Sequence, residues 1–174
     1  NIFDQQRWVD SIYSKLSLEE KVGQLFMPMV FTERDSSHFH FTLNLIKKYK
    51  VGGLVFSLGG PVEQSKWLNA FQRESKVPLM TAMDAEWGVA MRLDSVMPFP
   101  WPMTLGAIKD STLLRKIGKR MGMQEKRLGI HYSFGPTLDI NTNPKNPIIG
   151  NRSYGSSPDR VIRQALAIMK GHQE

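Results

Sequence analysis

The chain has 174 residues, 41% hydrophobic and 22% charged, which suits one globular domain with a sizeable core. It contains no cysteine, excluding disulfide scaffolds and thiolate metal sites, and no apolar run near the ~18 residues of a membrane-spanning helix. Its net charge of +7 raises the question of nucleic acid, yet the basic clusters Lys47-Lys48-Tyr49-Lys50 and Arg115-Lys116 through Lys119-Arg120 fall on predicted amphipathic helices, where they read as solvated faces.

The chain starts at Asn1 without a leader, so any targeting segment is expected to have been removed or never included. Trp8, Ile12 and Leu16 recur at helical spacing and predict a first helix over Asp4 to Leu16. Ser17, with Glu20 three residues later, predicts a capping box and a second short helix. The run Gln24 to Val30 predicts a first core strand, interrupted by Pro28. Phe31 to His40 is polar and predicts a loop, with His38 and His40 as surface histidines because no third ligand accompanies them. A helix follows over Phe41 to Tyr49, then a second strand at Leu54 to Phe56. Gly59-Gly60 lacks the spacing and the Lys-Ser/Thr partner of a phosphate cradle. Pro61, suited to a first helical turn, opens a helix to about Glu74.

Leu79 to Met83 predicts a third strand, buried and delivering Asp84 and Glu86 at its C-terminal end, with Trp87, Gly88 and Arg92 following. Ligands of parallel α/β folds bind at that end. If the strand continued, Asp84 and Glu86 would share a face at about 6.5 to 7 Å, a spacing compatible with the two carboxyls of glycoside hydrolysis. The plainer alternative makes Asp84 a turn residue or cap and leaves Glu86 in solvent. Pro98, Pro100 and Pro102 enforce a non-helical passage, and Thr104 to Ala107 makes a short connection. Asp110 or Ser111 starts a long helix to Arg127, ended by Gly129. Ile130 to Phe134 predicts the fourth strand, with His131 packed and hydrogen-bonded inside it, and Asp139 just beyond. An Asn- and Pro-rich loop, Asn141 to Gly150, leads through Asn151-Arg152-Ser153-Tyr154-Gly155 to a last helix from Pro158 to about Lys170. Four strands, each followed by a helix, predict a parallel α/β fold, either a small doubly wound domain or the first half of an eight-stranded barrel.

The line MDAEWGVAMRL, followed by PFP and MTLGA and then GPTLDINTNPKNPIIGNRSYG, resembles the N-terminal half of the barrel domain of glycoside hydrolase family 3. It is similar to the branch that includes bacterial β-N-acetylglucosaminidases, in a family that also holds β-glucosidases and xylosidases. The resemblance implies that residues 1–174 are a partial (β/α)8 barrel domain of a retaining exo-β-glycosidase, acting on a terminal N-acetylglucosamine or glucose. It makes Asp84, Arg92 and Arg152 sugar-binding residues, which removes Asp84 from the role of nucleophile. Asp139 is expected to organise its loop, and Trp87, where the acetylglucosaminidase pattern often has glycine, to shape the pocket rim or to pack. The family's Lys-His pair, acid/base and nucleophilic aspartate are expected beyond Glu174, so these 174 residues are expected to be inactive alone. No metal or organic cofactor is implied. The expected partners are a β-linked oligosaccharide or cell-wall glycan and the rest of the barrel, with no nucleic acid, and a periplasmic or secreted location is favoured over a cytoplasmic one. A non-catalytic carbohydrate-binding domain is the alternative.

Overall fold

In a computed structural model, which describes residues 2–174, the chain forms four parallel strands, β1 (Met29–Val30), β2 (Gly53–Phe56), β3 (Met80–Met83) and β4 (Tyr132–Ser133). Their order in the sheet is β1-β2-β3-β4. A doubly wound sheet reverses its order at a switch point, whereas a barrel adds each strand beside the last. The unreversed order therefore selects the barrel arrangement. Register pairs Val30 with Phe56, Phe56 with Met83, and Met83 with Ser133, so all four strands end level and their following loops leave on one side.

The helices are α1 (Ile2–Tyr13), α2 (Leu18–Gly23), α3 (Ser36–Asn44, continued by a π turn over Leu45–Tyr49), α4 (Pro61–Glu74), α5 (Pro102–Gly106), α6 (Ser111–Arg127) and α7 (Pro158–His172). Two hydrophobic cores form. The first packs Leu54, Phe56 and Met83 of the sheet against Leu68 and Phe71 of α4, and it includes Ala85 and Val89. The second lies among α5, α6 and α7, where Leu114, Met121, Val161 and Ile168 enclose Tyr154.

Several boundaries differ from the sequence reading. Helix α1 buries none of its residues, and Trp8 is 57% exposed, so helical spacing there marks an apolar face that the described residues leave uncovered. The capping box forms as expected, with the Glu20 N–H donating to Ser17 Oγ and the Ser17 N–H to the Glu20 carboxylate. Glu20 also pairs with Lys76 at 2.7 Å, tying α2 to the segment before β3. The run Gln24 to Val30 is mostly turn: Leu25 and Phe26 N–H groups bond back to Val22 and Gly23, and the strand begins only after Pro28, which offers no N–H of its own. The expected loop Phe31 to His40 contains the start of α3, capped by Asp35 accepting from the Ser37 N–H at 3.1 Å.

His38 is consequently not a surface residue. It is half-buried beside the rings of Phe31, Phe41 and Trp67, and its Nε2 accepts from the Phe31 N–H at 3.1 Å. Burial pushes its pKa down, as an acceptor nitrogen requires. His131 is hydrogen-bonded as expected, its Nδ1 accepting from the Thr81 N–H at 3.2 Å, but it sits exposed on the sheet edge rather than packed. Both basic clusters are partly neutralised: Lys47 meets Glu74 at 2.7 Å, and Arg115 and Lys119 meet Glu174. Among the described residues no helix is long and apolar enough to cross a membrane.

Helices α6 and α7 touch backbone to backbone. A Cβ added at Gly171 would lie 1.9 Å from the Arg115 carbonyl oxygen, and one at Gly118 would lie 2.1 Å from that of Ile168. Backbone cannot yield as a side chain can, so Gly171→Ala is expected to lower the unfolding free energy by about 1–3 kcal/mol, read from a urea melt; an unchanged midpoint would show that the helices separate freely.

Candidate functional site

The site lies where β3 and β4 end. Leu79, Ala82 and Met83 are fully buried, and the apolar run stops at Asp84 because the next residues leave the sheet for the loop side. The Gly88 N–H bonds the Ala85 carbonyl at 2.9 Å, and Val89–Met91 form a 3-10 turn. That turn brings Arg92 back over the strand end, where its Nη2 donates to Asp84 Oδ2. Gly88 has φ +86, and a Cβ there would lie 2.7 Å from the Phe99 ring, so both conformation and space favour glycine at this corner.

Glu86, the other carboxylate, points elsewhere. It is 7% exposed, and Arg152 closes on it side-on, Nε to Oε2 at 2.9 Å and Nη2 to Oε1 at 2.5 Å. Glu86 is therefore not left in solvent, and the two carboxylates do not face each other as a pair: each is matched to its own arginine. The hydrogen bonds to Glu86 raise the Arg152 pKa above its ordinary value, with Asp139 and Asp84 adding smaller attraction. Two ion pairs so stand together at one strand end, with Asp139 within electrostatic reach.

The loop carrying Arg152 is closed at its neck. Ser153 Oγ donates to the Asp139 carbonyl at 2.6 Å, and the Asn141 N–H donates to the Gly155 carbonyl at 3.0 Å. Asp139 thus takes part in organising the loop, but through its backbone; its carboxylate stays exposed. Tyr154 anchors the loop from below. It is 1% exposed, and its backbone lies so near Gly106 that a Cβ there would meet the Tyr154 carbonyl oxygen at 1.9 Å. Trp87 stacks on Trp101 with ring centroids 4.1 Å apart and planes at 24°. Trp101 remains 45% exposed, so the pair forms a braced aromatic edge next to Glu86.

The sequence reading brought Asp84, Arg92 and Arg152 forward, and the structure brings them to one place. It missed the burial of Glu86, which no local pattern announces. Among the described residues no three His, Cys, Asp or Glu side chains converge as metal ligands. A hollow of 680 Å³ between Leu18, Val22, Phe26, Leu45 and Tyr49 is apolar and formed by elements outside this site.

Charged forks and carboxylates at the C-terminal end of parallel strands can hold several hydroxyls by charge-assisted hydrogen bonds. The comparisons place the chain in a family. The sequence profile of the glycosyl hydrolase family 3 N-terminal domain matches residues 17–174, and the chain belongs to that family. A β-N-acetylglucosaminidase/β-glucosidase of Cellulomonas fimi is 26% identical over 166 residues, 95% of this chain and 29% of the relative. A β-glucoside phosphorylase bound to 2FGlc superposes with a TM-score of 0.87 at 27% identity, over 98% of this chain and 30% of its own. A family 3 β-N-acetylglucosaminidase from Paenibacillus sp. superposes with a TM-score of 0.79 at 35% identity, over 91% and 31%. The chain thus spans about a third or less of these proteins.

Burial pushes the Tyr154 phenol up from its ordinary pKa, and its hydroxyl has no hydrogen-bond partner among the described residues. A raised phenol favours the fold below the ordinary tyrosine range and loses that contribution as pH climbs through it. Tyr154→Phe is therefore expected to cost little at neutral pH and to flatten the loss of stability at alkaline pH, measured by urea melts across that range; a variant as alkali-sensitive as the parent would show that Tyr154 is not the group responsible.

Proposed function

We propose that this chain is the sugar-gripping half of the barrel domain in a longer retaining exo-β-glycosidase, which removes a terminal β-linked N-acetylglucosamine or glucose. The observation that carries the reading is the meeting of Asp84–Arg92 with Glu86–Arg152 at the ends of β3 and β4. Asp84 accepts hydrogen bonds from ring hydroxyls while Arg92 and Arg152 donate to hydroxyl oxygens. Fixing the ring from several sides holds the anomeric carbon for attack and removes most of its rotational freedom before reaction.

Retaining hydrolysis needs a nucleophile and an acid/base about 5 to 5.5 Å apart. Asp84 and Glu86 are each engaged by an arginine, which suits binding and anchoring rather than attack. Both chemical roles therefore fall to residues outside this chain, in keeping with the share of its relatives that it spans. The likeness to a β-glucoside phosphorylase supports a second reading, in which phosphate replaces water as acceptor on the same gripped sugar. The non-catalytic carbohydrate-binding alternative keeps the same grip and loses turnover.

The test is turnover of p-nitrophenyl β-N-acetylglucosaminide and β-glucoside by the complete polypeptide, with and without phosphate. Free sugar released first as the β anomer is expected; sugar 1-phosphate would select the phosphorylase, and binding without product the non-catalytic domain. Asp84→Ala is expected to lower kcat/KM at least a hundredfold, about 3 kcal/mol of transition-state binding. Residues 1–174 alone are expected to show no turnover, and enzymatic rates from them would overturn the division of roles.

A further inference from the structure

The two arginines and Asp84 have roles in the sugar-binding reading, on which this inference rests; Glu86 has none. It is nevertheless the most deeply buried of the four charged groups, and both its oxygens are spent on Arg152. Arg152 spends a third donor, on Nη1, on the Ile148 carbonyl at 3.3 Å. A guanidinium carries five N–H donors, so two remain. Their direction is not free, because a side-on bidentate pair fixes the plane of the fork as well as its place.

Neither partner can drift. Ala85 and Val89, flanking Glu86, are locked in the sheet core, and the loop after β4 passes so close that a Cβ on Gly135 would stand 3.4 Å from Glu86 Cα. Arg152 is held from behind by Ser153 in the loop neck and by Tyr154 in the second core. With both backbones fixed, the two short bonds to the carboxylate decide how the guanidinium is turned, and the longer one to the Ile148 carbonyl only supports them.

We infer that Glu86 is a positioning residue for sugar recognition: it holds Arg152 so that two donors face a particular hydroxyl of the ring beside Asp84. Glu86 itself does not touch the sugar. Its loss therefore removes the reading of one hydroxyl and leaves those read by Asp84 and Arg92 in place.

The experiment titrates the complete polypeptide with methyl β-glucoside, N-acetylglucosamine and the monodeoxy analogues of each. The parent, Arg152→Met and Glu86→Gln are compared. Deleting the hydroxyl that Arg152 holds is expected to weaken the parent about tenfold, the scale of one charge-assisted hydrogen bond, and to leave Arg152→Met unaffected. Glu86→Gln is expected to reproduce the Arg152→Met pattern, indifferent to that one deoxygenation and still sensitive to the others. Glu86→Asp, which keeps the charge and withdraws it by one methylene, is expected to fall between and serves the same comparison if Glu86→Gln folds poorly. A Glu86 variant that weakens all analogues evenly, or retains the parental pattern, overturns the positioning role and reduces Glu86 to a staple. A parent that binds none of these sugars overturns the sugar-binding reading itself, and the role of Glu86 with it.

Discussion

The pairing of Arg152 with Glu86 spans two separately packed cores. Glu86 is rooted in the sheet core through Ala85 and Val89, and Arg152 stands on the helical core through Tyr154. The two residues are 66 positions apart, and their ion pair joins the cores on the loop side of the sheet. Burying a carboxylate is costly, and only a partner that satisfies both oxygens offsets it. The arrangement therefore works in one direction: with Arg152 present Glu86 is settled, and without it a buried charge is stranded, at about 3–5 kcal/mol. The orientation of the guanidinium and the cohesion of the two cores thus rest on the same contact.

Asp84 and Arg92 complement it with a short-range pair closed by a single turn. They are eight positions apart, and the turn between them has Gly88, at φ +86, at its corner. One pair is local; the other is long-range, and its carboxylate is the buried member of the four charged groups.

Much of this was readable in the residues. The apolar run into Asp84, the Ser17–Glu20 capping box, Pro61 at the head of α4 and Gly129 after α6 are local signals, and each falls where the chain uses it. What could not be read depends on distant partners. Glu86 looks solvated in the string Asp-Ala-Glu because its burial is created by an arginine arriving from the far side of β4. Trp8 looks like core because spacing reports an apolar face and not what covers it. The alternation of elements alone left the barrel open against a doubly wound sheet, since both are written the same way and differ only in which edge the next strand joins; the resemblance to family 3 is what pointed to the barrel. Asp35 was a missed signal: an Asp followed by Ser-Ser is a serviceable helix cap, hidden by the polar stretch around it.

Gly118 and Gly171 bring α6 and α7 into direct backbone contact, so the two helices behave as a single post with no play between them. The segment 135–157 leaves the end of β4 and runs into α7 of that post, and its neck is pinned at Asp139, Asn141, Ser153 and Gly155. In its tip, residues 143–147, Asn146 accepts from the Ile148 N–H at 2.9 Å and the Ile149 N–H at 3.3 Å, and the carbonyls of those two residues in turn accept from Arg152. A change of length in the tip would therefore be felt at the guanidinium through two residues, although the neck that carries the Arg152 backbone is closed independently of it.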